Sequence, residues 1–513
     1  MAVTVLDVAQ LIGARMQGGT AEQAQVPITE VGLNSAELPA GALFAAVPGT
    51  RVHGARFAAD TAAAAILTDE AGWGLLSAAG ETRPVLVVDD VRSVLGVAAA
   101  AVYGDPSSQL TVIGITGTSG KTTTSYMLEA GLLAAGYRVG LIGTTGTQIN
   151  GRPVPTSLTT PEAPTLQALF VQMLAEGVTH VVMEVSSHAL MLGRVLGVKF
   201  DVAGFTNLSQ DHLDFHATMA EYFDAKALFF RPGSPTRAAR AVVCVDDEWG
   251  EKMASVFGSG VRTLATRGQA GDYTVSAVQT VERGGQEFRL AAPSGAVVAA
   301  TVPLPGRFNV ANAALALALA DTVGVDMTAL LPGLAGVGVP GRMEVVDCGQ
   351  DFLAVVDYAH KPAAIKAVLA TVRGQITGRI GLVVGAGGDR DLSTDGAASG
   401  PCGAVAAGAA LAVWRGADGG GRDDELSAAG RPATAGNPRL PGNRALAETD
   451  CRRPGLAACR GRRGAAGSMN QTFRYFPLMA TPAISAATST NAAPRLVWWA
   501  MKPIPAGPAR TPA

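Results

Sequence analysis

The sequence predicts an α/β protein of three domains, the central one built on a mostly parallel sheet of the phosphate-loop type. Three observations predict it. Short apolar runs alternate with helical stretches over the first 391 residues. A glycine-rich turn carrying a lysine, Thr116-Gly-Thr-Ser-Gly-Lys-Thr-Thr123, stands between one such run and a helical stretch. Turn-forming segments at Asp105-Pro-Ser-Ser108 and Gly338-Val-Pro-Gly341 divide the series into three.

Residues 1–106 pair apolar helical patterns with short β-rich runs, Ala42–Val47 and Val85–Val88, and read as a small α/β domain. Residues 107–340 form the central domain. Strands are expected at Leu110–Thr116, Leu141–Thr144, Val178–Val185, Val202–Asn207 and Ala241–Val245, with a helix over Ser125–Ala135 after the glycine-rich turn. From 341 to 391 a strand (Leu353–Asp357), a helix (Pro362–Val372) and a strand (Ile380–Gly385) open a third, Rossmann-like domain that reads as incomplete.

The texture changes at Leu392. Residues 392–513 hold thirteen Arg and one Lys, Lys502, and clusters such as Arg452-Arg-Pro and Arg460-Gly-Arg-Arg-Gly show no sustained helical or strand period. Two readings stay open: a disordered tail rich in Pro and Gly, or a stretch translated from a shifted frame of GC-rich DNA. The coding DNA discriminates between them.

Composition narrows the function classes. Forty basic against forty-two acidic side chains leave a net charge of −2, which excludes a broad electrostatic footprint for nucleic acid or an anionic membrane. Five Cys without metal-ligand spacing exclude a disulfide scaffold and a zinc ribbon. The first residues lack a basic segment ahead of an apolar run, so no signal peptide is expected. The longest uncharged apolar stretch, Gly396–Trp414, is too rich in Gly and Ala for a membrane span. A cytoplasmic monomer with no nucleic-acid or membrane partner is the expectation.

The glycine-rich turn carries the sharpest chemistry. Gly117, Thr118, Ser119 and Gly120 let backbone N–H groups approach phosphate oxygens at a helix N-terminus. Lys121 offsets phosphate charge and the Thr122 hydroxyl, followed by Thr123, suits Mg²⁺. Ile115 stands where the general phosphate-loop pattern has its first Gly, so this is a shorter variant beginning at Gly117. The run His180-Val-Val-Met-Glu184-Val-Ser-Ser-His188 ends a strand in an acid, placed to hold Mg²⁺ beside the loop. A third cluster, Asn207-Leu-Ser-Gln-Asp211-His212-Leu-Asp214-Phe-His216, gathers two His and two Asp within six residues. Lys226 follows among apolar residues, where pattern alone gives it no role.

With these motifs the chain resembles the Mur ligases, ATP-dependent amino-acid ligases of peptidoglycan precursor synthesis, and most of all those of the MurE type, which add the third stem-peptide residue. The resemblance also rests on Thr159-Thr160-Pro161-Glu162, Gly306-Arg-Phe-Asn309-Val-Ala-Asn312, Val339-Pro-Gly-Arg342-Met-Glu344, Asp357-Tyr-Ala-His360 and Gly385-Ala-Gly-Gly-Asp389-Arg390-Asp391, all in family order across residues 1–391. It implies three domains: one binding the uridine of UDP-MurNAc, a central ATP-binding domain, and a C-terminal domain that reads the amino acid. It also implies that Lys226 is carbamoylated by CO₂, that Thr122 and Glu184 hold one Mg²⁺, and that His212 and the carbamate hold a second. Asn309 and Arg342 are implied to border adenine and ribose, with Asp357 and His360 closing over the nucleotide from the third domain.

For the substrate, UDP-MurNAc-L-Ala-D-Glu, the resemblance implies contacts from Ser35, Thr159, Thr160, Glu162, Ser186 and Arg194, and for the incoming diamino acid one from Arg390. The chain departs from the family pattern at three places. Ala36 stands where the family commonly has Arg, Lys361-Pro362 replaces Thr-Pro, and Leu392-Ser-Thr replaces Lys-Arg-Pro. The later Gly436-Asn-Pro-Arg439 lacks the Asp of the motif that marks diaminopimelate-specific members. Diaminopimelate is the implied amino acid, with lysine and ornithine open. A non-catalytic binder of ATP and the UDP precursor, and a folylpolyglutamate synthase-like ligase, are the alternative readings.

Overall fold

The structure, a computed structural model, describes residues 2–211, 215–281, 284–346, 353–359, 362–376, 378, 380–384 and 409–413. The chain divides into two units, Met1–Gly420 and Gly421–Ala513, and every described residue lies in the first.

The N-terminal part holds α1 (Val5–Leu11), β1 (Arg15–Gln17), α2 (Ala21–Ala24), β2 (Glu30–Gly32), β3 (Ala42–Ala45), β4 (Ala65–Thr68), α3 (Glu70–Ala78), β5 (Val85–Val87) and α4 (Val91–Val102). Its sheet runs β1-β5-β4-β3-β2, parallel except for β1. β3, β4 and β5 are buried throughout, which is why they read as continuous apolar runs.

The central part contains β6 (Thr111–Thr116), α5 (Lys121–Ala134), β7 (Val139–Gly143), β8 (Gly146–Ile149), β9 (Arg152–Val154), α6 (Ala163–Ala175), β10 (His180–Glu184), α7 (Ser187–Met191), β11 (Val202–Phe205), α8 (Met219–Ala227), β12 (Arg240–Cys244), α9 (Glu248–Phe257), β13 (Val261–Ala265), β14 (Tyr273–Thr280), β15 (Gln286–Ala291), β16 (Val297–Val302), α10 (Arg307–Thr322) and α11 (Met327–Ala335). They build one sheet, β16-β15-β14-β13-β12-β11-β6-β10-β7-β8-β9. From β7 to β14 every pairing is parallel, and the wings β14-β15-β16 and β7-β8-β9 are antiparallel. Strand period 2 splits the core in two. Ile113 and Ile115 of β6 join α5, α10 and α11 on one face, while Val112 joins α6 and the Phe200–Phe229 aromatic pair on the other.

The helix after the glycine-rich turn begins at Lys121, four residues ahead of the expected Ser125. Gly120, at φ +91°, supplies the left-handed residue that starts it, and Lys121 to Thr124 form the first turn although three of the four are β-branched threonines. The wing strands β14 to β16 were not expected. β15 and β16 alternate along their length and β14 is buried only at Tyr273 and Val275, so each lacks the apolar run that marks the buried centre.

The third part has β17 (Glu344–Val346), β18 (Ala354–Asp357), α12 (Pro362–Arg373), β19 (Ile380–Val384) and β20 (Ala409–Val413), in the order β17-β18-β20-β19. The expected strand-helix-strand unit is present as β18, α12 and β19. Between its two strands lies β20, antiparallel to both. β20 comes from beyond Leu392, where sequence showed no period, because Ala-Ala-Leu-Ala-Val carries weak strand preference.

One core residue is out of keeping with its surroundings. Glu129, on α5, is buried with Oε1 lacking a hydrogen-bond partner, one turn from the similarly buried Oγ of Ser125. Burial pushes its carboxyl up to about 7. At low pH both folded and unfolded chains hold the proton and this site costs little. As pH rises the unfolded chain ionises first, so stability is lost until the folded carboxyl itself ionises. E129Q is therefore expected to raise the melting temperature by several degrees at about pH 8 and to change it little at about pH 5, as read by thermal denaturation.

Candidate active site

Parallel register brings four strand ends to one edge of the central sheet. Glu184, the last residue of β10, pairs with Ile115 of β6, and Phe205 of β11 pairs with Thr116. Ile142 of β7 pairs with Met183. The segments that leave these ends are the glycine-rich loop after β6, Thr144 after β7, the Glu184 carboxylate, and Thr206 and Asn207 after β11. Ligands of open α/β sheets sit outside this carboxyl edge.

The loop is pinned from β11. Asn207 accepts from the Ser119 N–H (3.1 Å) and donates from Nδ2 to the Ser119 carbonyl (3.0 Å), while the Thr206 hydroxyl donates to that same carbonyl (2.7 Å). Thr118 is held by the Ser209 N–H at 3.0 Å and lies 3.3 Å from the Tyr222 phenol. No side chain fits at either loop glycine. A Cβ on Gly117 would lie 1.9 Å from Thr206 Oγ1, and one on Gly120 would lie 2.4 Å from Asn312 Oδ1.

Two lysines converge on the loop. Lys121 Nζ donates to the carbonyls of Gly117 (2.9 Å) and Thr118 (3.0 Å). Lys226 Nζ, reaching from α8 and 1% exposed, donates to the same Gly117 carbonyl at 3.0 Å and lies 4.6 Å from the Tyr222 ring centre. Glu184 is also buried. Its oxygens accept from the Thr144 N–H (2.8 Å) and the Thr144 hydroxyl (3.1 Å). The Thr122 hydroxyl is buried in the first turn of α5 and meets Arg342 Nη2 at 3.5 Å. Arg342 in turn stacks on Tyr358, 4.7 Å from its ring centre.

Asp357 closes this corner. It accepts from the N–H groups of Met343 (2.8 Å) and Ala359 (2.7 Å). Burial raises its carboxyl above the ordinary range, and those bonds and Arg342 offset part of the rise. Asn309 faces inward. Its amide donates to the Pro305 carbonyl (2.8 Å) and accepts from Asn312 (3.1 Å), tying the start of α10 beneath the loop.

The residues implied for the UDP substrate cluster beside Glu184. The Thr160 hydroxyl donates to the Glu184 carbonyl oxygen at 2.9 Å, Thr159 lies 3.2 Å from Thr144, and Ser186 caps α7 through the Ala189 N–H. Glu162 lies between Arg194 and Arg92. Ser35 is in the N-terminal domain, in a short turn capped by Asn34. Thus Thr118, Lys121, Thr122, Glu184 and Lys226 share one edge, with Thr159, Thr160, Ser186 and Arg194 adjoining. His212, His360 and Arg390 lie outside the described residues. Of the same cluster as His212, His216 is described. It is buried, 3.0 Å from the Ser187 hydroxyl and packed on Tyr222.

Sequence reasoning gave no role to Thr144, Thr206 or Arg92. The first two follow directly on parallel strands, so position at a carboxyl edge was their signal. Arg92 stands in the first turn of a helix, where a cation is disfavoured by the helix dipole. Among the described residues no three His, Cys, Asp or Glu side chains gather as a metal cluster, and no helix is long and apolar enough to cross a membrane.

Fold and site together define a three-part α/β protein organised around a phosphate-binding loop. Three family models match it in order: the Mur ligase family catalytic domain over 27–103, the Mur ligase middle domain over 115–320, and the Mur ligase glutamate ligase domain over 341–443. The chain is 60% identical over 404 residues to the UDP-N-acetylmuramoyl-L-alanyl-D-glutamate--2,6-diaminopimelate ligase of Corynebacterium glutamicum, covering 76% of this chain and 77% of that protein. The protein of the same name from Streptomyces coelicolor is 45% identical over 397 residues, covering 76% of each. A solved structure of a diaminopimelate ligase of that name superposes with a TM-score of 0.61 at 30% identity, covering 73% of this chain and 74% of the other. The chain belongs to the Mur ligase family. The third family match extends past Asp391 and takes in β20.

The loop geometry gives a direct test. Gly120→Ala combines a disfavoured backbone with a clash against Asn312, so it is expected to lower unfolding free energy by about 1–3 kcal/mol in urea titrations. ATP affinity should fall about tenfold or more in the same variant.

Proposed function

We propose that the chain is the ATP-dependent ligase that joins meso-2,6-diaminopimelate to UDP-MurNAc-L-Ala-D-Glu in peptidoglycan synthesis. The observation that carries this reading is the 60% identity to the Corynebacterium glutamicum ligase over three-quarters of both chains. The convergence of loop, lysines and Glu184 at one sheet edge supports it. Within the reading, residues 1–106 take the uridine end, with a contact from Ser35, and 107–340 take ATP. The part that opens at 341 takes the amino acid, with Arg390 as its contact, and closes His360 and Asp357 over the nucleotide.

A carboxylate is a poor electrophile, so amide formation needs activation. The D-Glu side-chain carboxylate attacks the γ-phosphorus of ATP, ADP leaves, and an acyl phosphate forms. The diaminopimelate amine then attacks the acyl carbon, phosphate departs, and a proton is lost to water. Lys121 and the loop N–H groups offset charge that builds on the transferring phosphoryl group. Arg194, Ser186, Thr159 and Thr160 orient the precursor, and Asn309 with Arg342 borders the nucleoside.

Mg²⁺ and a lysine carbamate fit these residues. Thr122 and Glu184 offer hard oxygen donors beside the loop, as Mg²⁺ requires. Lys121 and Lys226 both aim an ammonium at the Gly117 carbonyl. Converting one of two such neighbouring cations into an anion relieves their repulsion. Thr122 and Glu184 would hold one ion, His212 and the Lys226 carbamate a second. When bound, the ions neutralise phosphate charge in the transition state.

The test is phosphate release by the purified 513-residue chain with ATP, Mg²⁺, bicarbonate and the muramoyl dipeptide, supplied with diaminopimelate, lysine or ornithine in parallel. Release with diaminopimelate alone is expected. Release with another amino acid reassigns the specificity, and no release with any of them favours a non-catalytic binder. Lys121→Ala is expected to lower turnover by at least about a thousandfold. Carbon-13 bicarbonate is expected to give a carbamate NMR signal that Lys226→Ala removes; persistence of that signal would place the modification elsewhere.

A further inference from the structure

Glu162 is the N-cap residue of α6, yet its side chain makes no cap bond there. Its carboxylate instead lies between two guanidinium groups. Oε2 meets Arg92 Nη1 at 3.1 Å and Oε1 lies 3.0 Å from Arg194 Nε, an ion pair without a hydrogen bond at that nitrogen. Arg92 comes from α4 of the N-terminal domain and Arg194 from the turn after α7 in the central one. The Glu162 carboxylate suits the N-terminus of α6, whereas the Arg92 cation in the first turn of α4 runs against the helix dipole, a cost that marks a position held for another purpose.

The backbones beneath this triad are fixed. A Cβ on Gly96 of α4 would lie 2.1 Å from the Leu196 carbonyl oxygen, and one on Gly197 would lie 2.3 Å from the Gly96 carbonyl oxygen. A Cβ on Gly193 would lie 2.6 Å from the carbonyl of Arg92 itself. α4 and the 193–197 turn therefore meet backbone to backbone. Arg194 also donates from Nη1 to the Thr160 carbonyl at 3.3 Å, which joins the triad to the Thr159-Thr160 loop.

We propose that Arg92 is a positioning residue for the UDP-linked precursor, acting through Glu162 on Arg194. The proposal rests on the reading under Proposed function. With one carboxylate for two guanidiniums, the triad keeps a net positive charge for an anionic substrate. Arg92 draws Glu162 away from full neutralisation of Arg194, and the 3.0 Å ion pair to Glu162 holds the Arg194 guanidinium in place by charge, its remaining N–H groups free to meet precursor oxygens. Removing Arg92 leaves a one-to-one pair with no net charge.

The experiment is calorimetric binding of UDP-MurNAc-L-Ala-D-Glu and, separately, of ADP to the full chain and to R92A, R92K and E162Q. R92A and E162Q are expected to weaken precursor binding about tenfold and to leave ADP affinity unchanged. R92K should recover most of the loss. The salt dependence of precursor affinity should be shallower in R92A than in the parent chain. A merely structural contact would not produce that change in salt slope. Unchanged precursor affinity in R92A, or equal losses for precursor and ADP, overturns the role of Arg92 while leaving the ligase reading intact. Failure of the unmutated chain to bind the precursor overturns the ligase reading and this proposal together.

Discussion

The hydrogen-bond register of four neighbouring parallel strands, β7, β10, β6 and β11, is the constraint on which the rest of the site depends. A slip of one residue in any of them would turn buried side chains to the wrong face and move a strand end away from the shared edge. With Glu184 opposite Ile115 and Phe205 opposite Thr116, the acid, the loop and the Asn207 side chain come within reach of one another. Two apolar cores hold that register from both faces. The chemistry at the edge is thus fixed by residues that take no part in it.

Given the register, polar side chains do the finer work. A glycine-rich loop has little packing of its own, and conformational freedom is its main liability. Here Thr206 and Asn207 fasten it from the neighbouring strand, and Asn312 closes against it from α10. The same economy appears at Asp357, whose two accepted N–H bonds shape the turn carrying Arg342 toward Thr122.

Much of this was legible in the sequence because buried parallel strands are written as unbroken apolar runs. β6, β10, β11 and β12 lie within a residue or two of their expected bounds. The wing strands β14 to β16 were not legible, since many of their side chains face solvent and the turn signals at Gly284-Gly285 and Pro293-Ser-Gly295 stood between segments with no apolar run. β20 was hidden by alanine. Spacing and chemistry pointed to Lys121, Thr122 and Glu184, which the structure gathers at one edge, whereas pattern alone did not point to Lys226. Its meaning lies in a carbonyl more than a hundred positions away in sequence, which local pattern cannot show. Arg92 was missed for the same reason, as its partner belongs to another domain.

The glycine contact between α4 and the 193–197 turn has a kinematic consequence. Two backbones in direct contact leave no side-chain cushion to slide or roll upon, so the N-terminal and central parts travel as one body at that point. Relative movement between the parts then falls to the connection into the third part, around Gly341 to Met343. Both ends of that connection have positive φ, +66° and +48°.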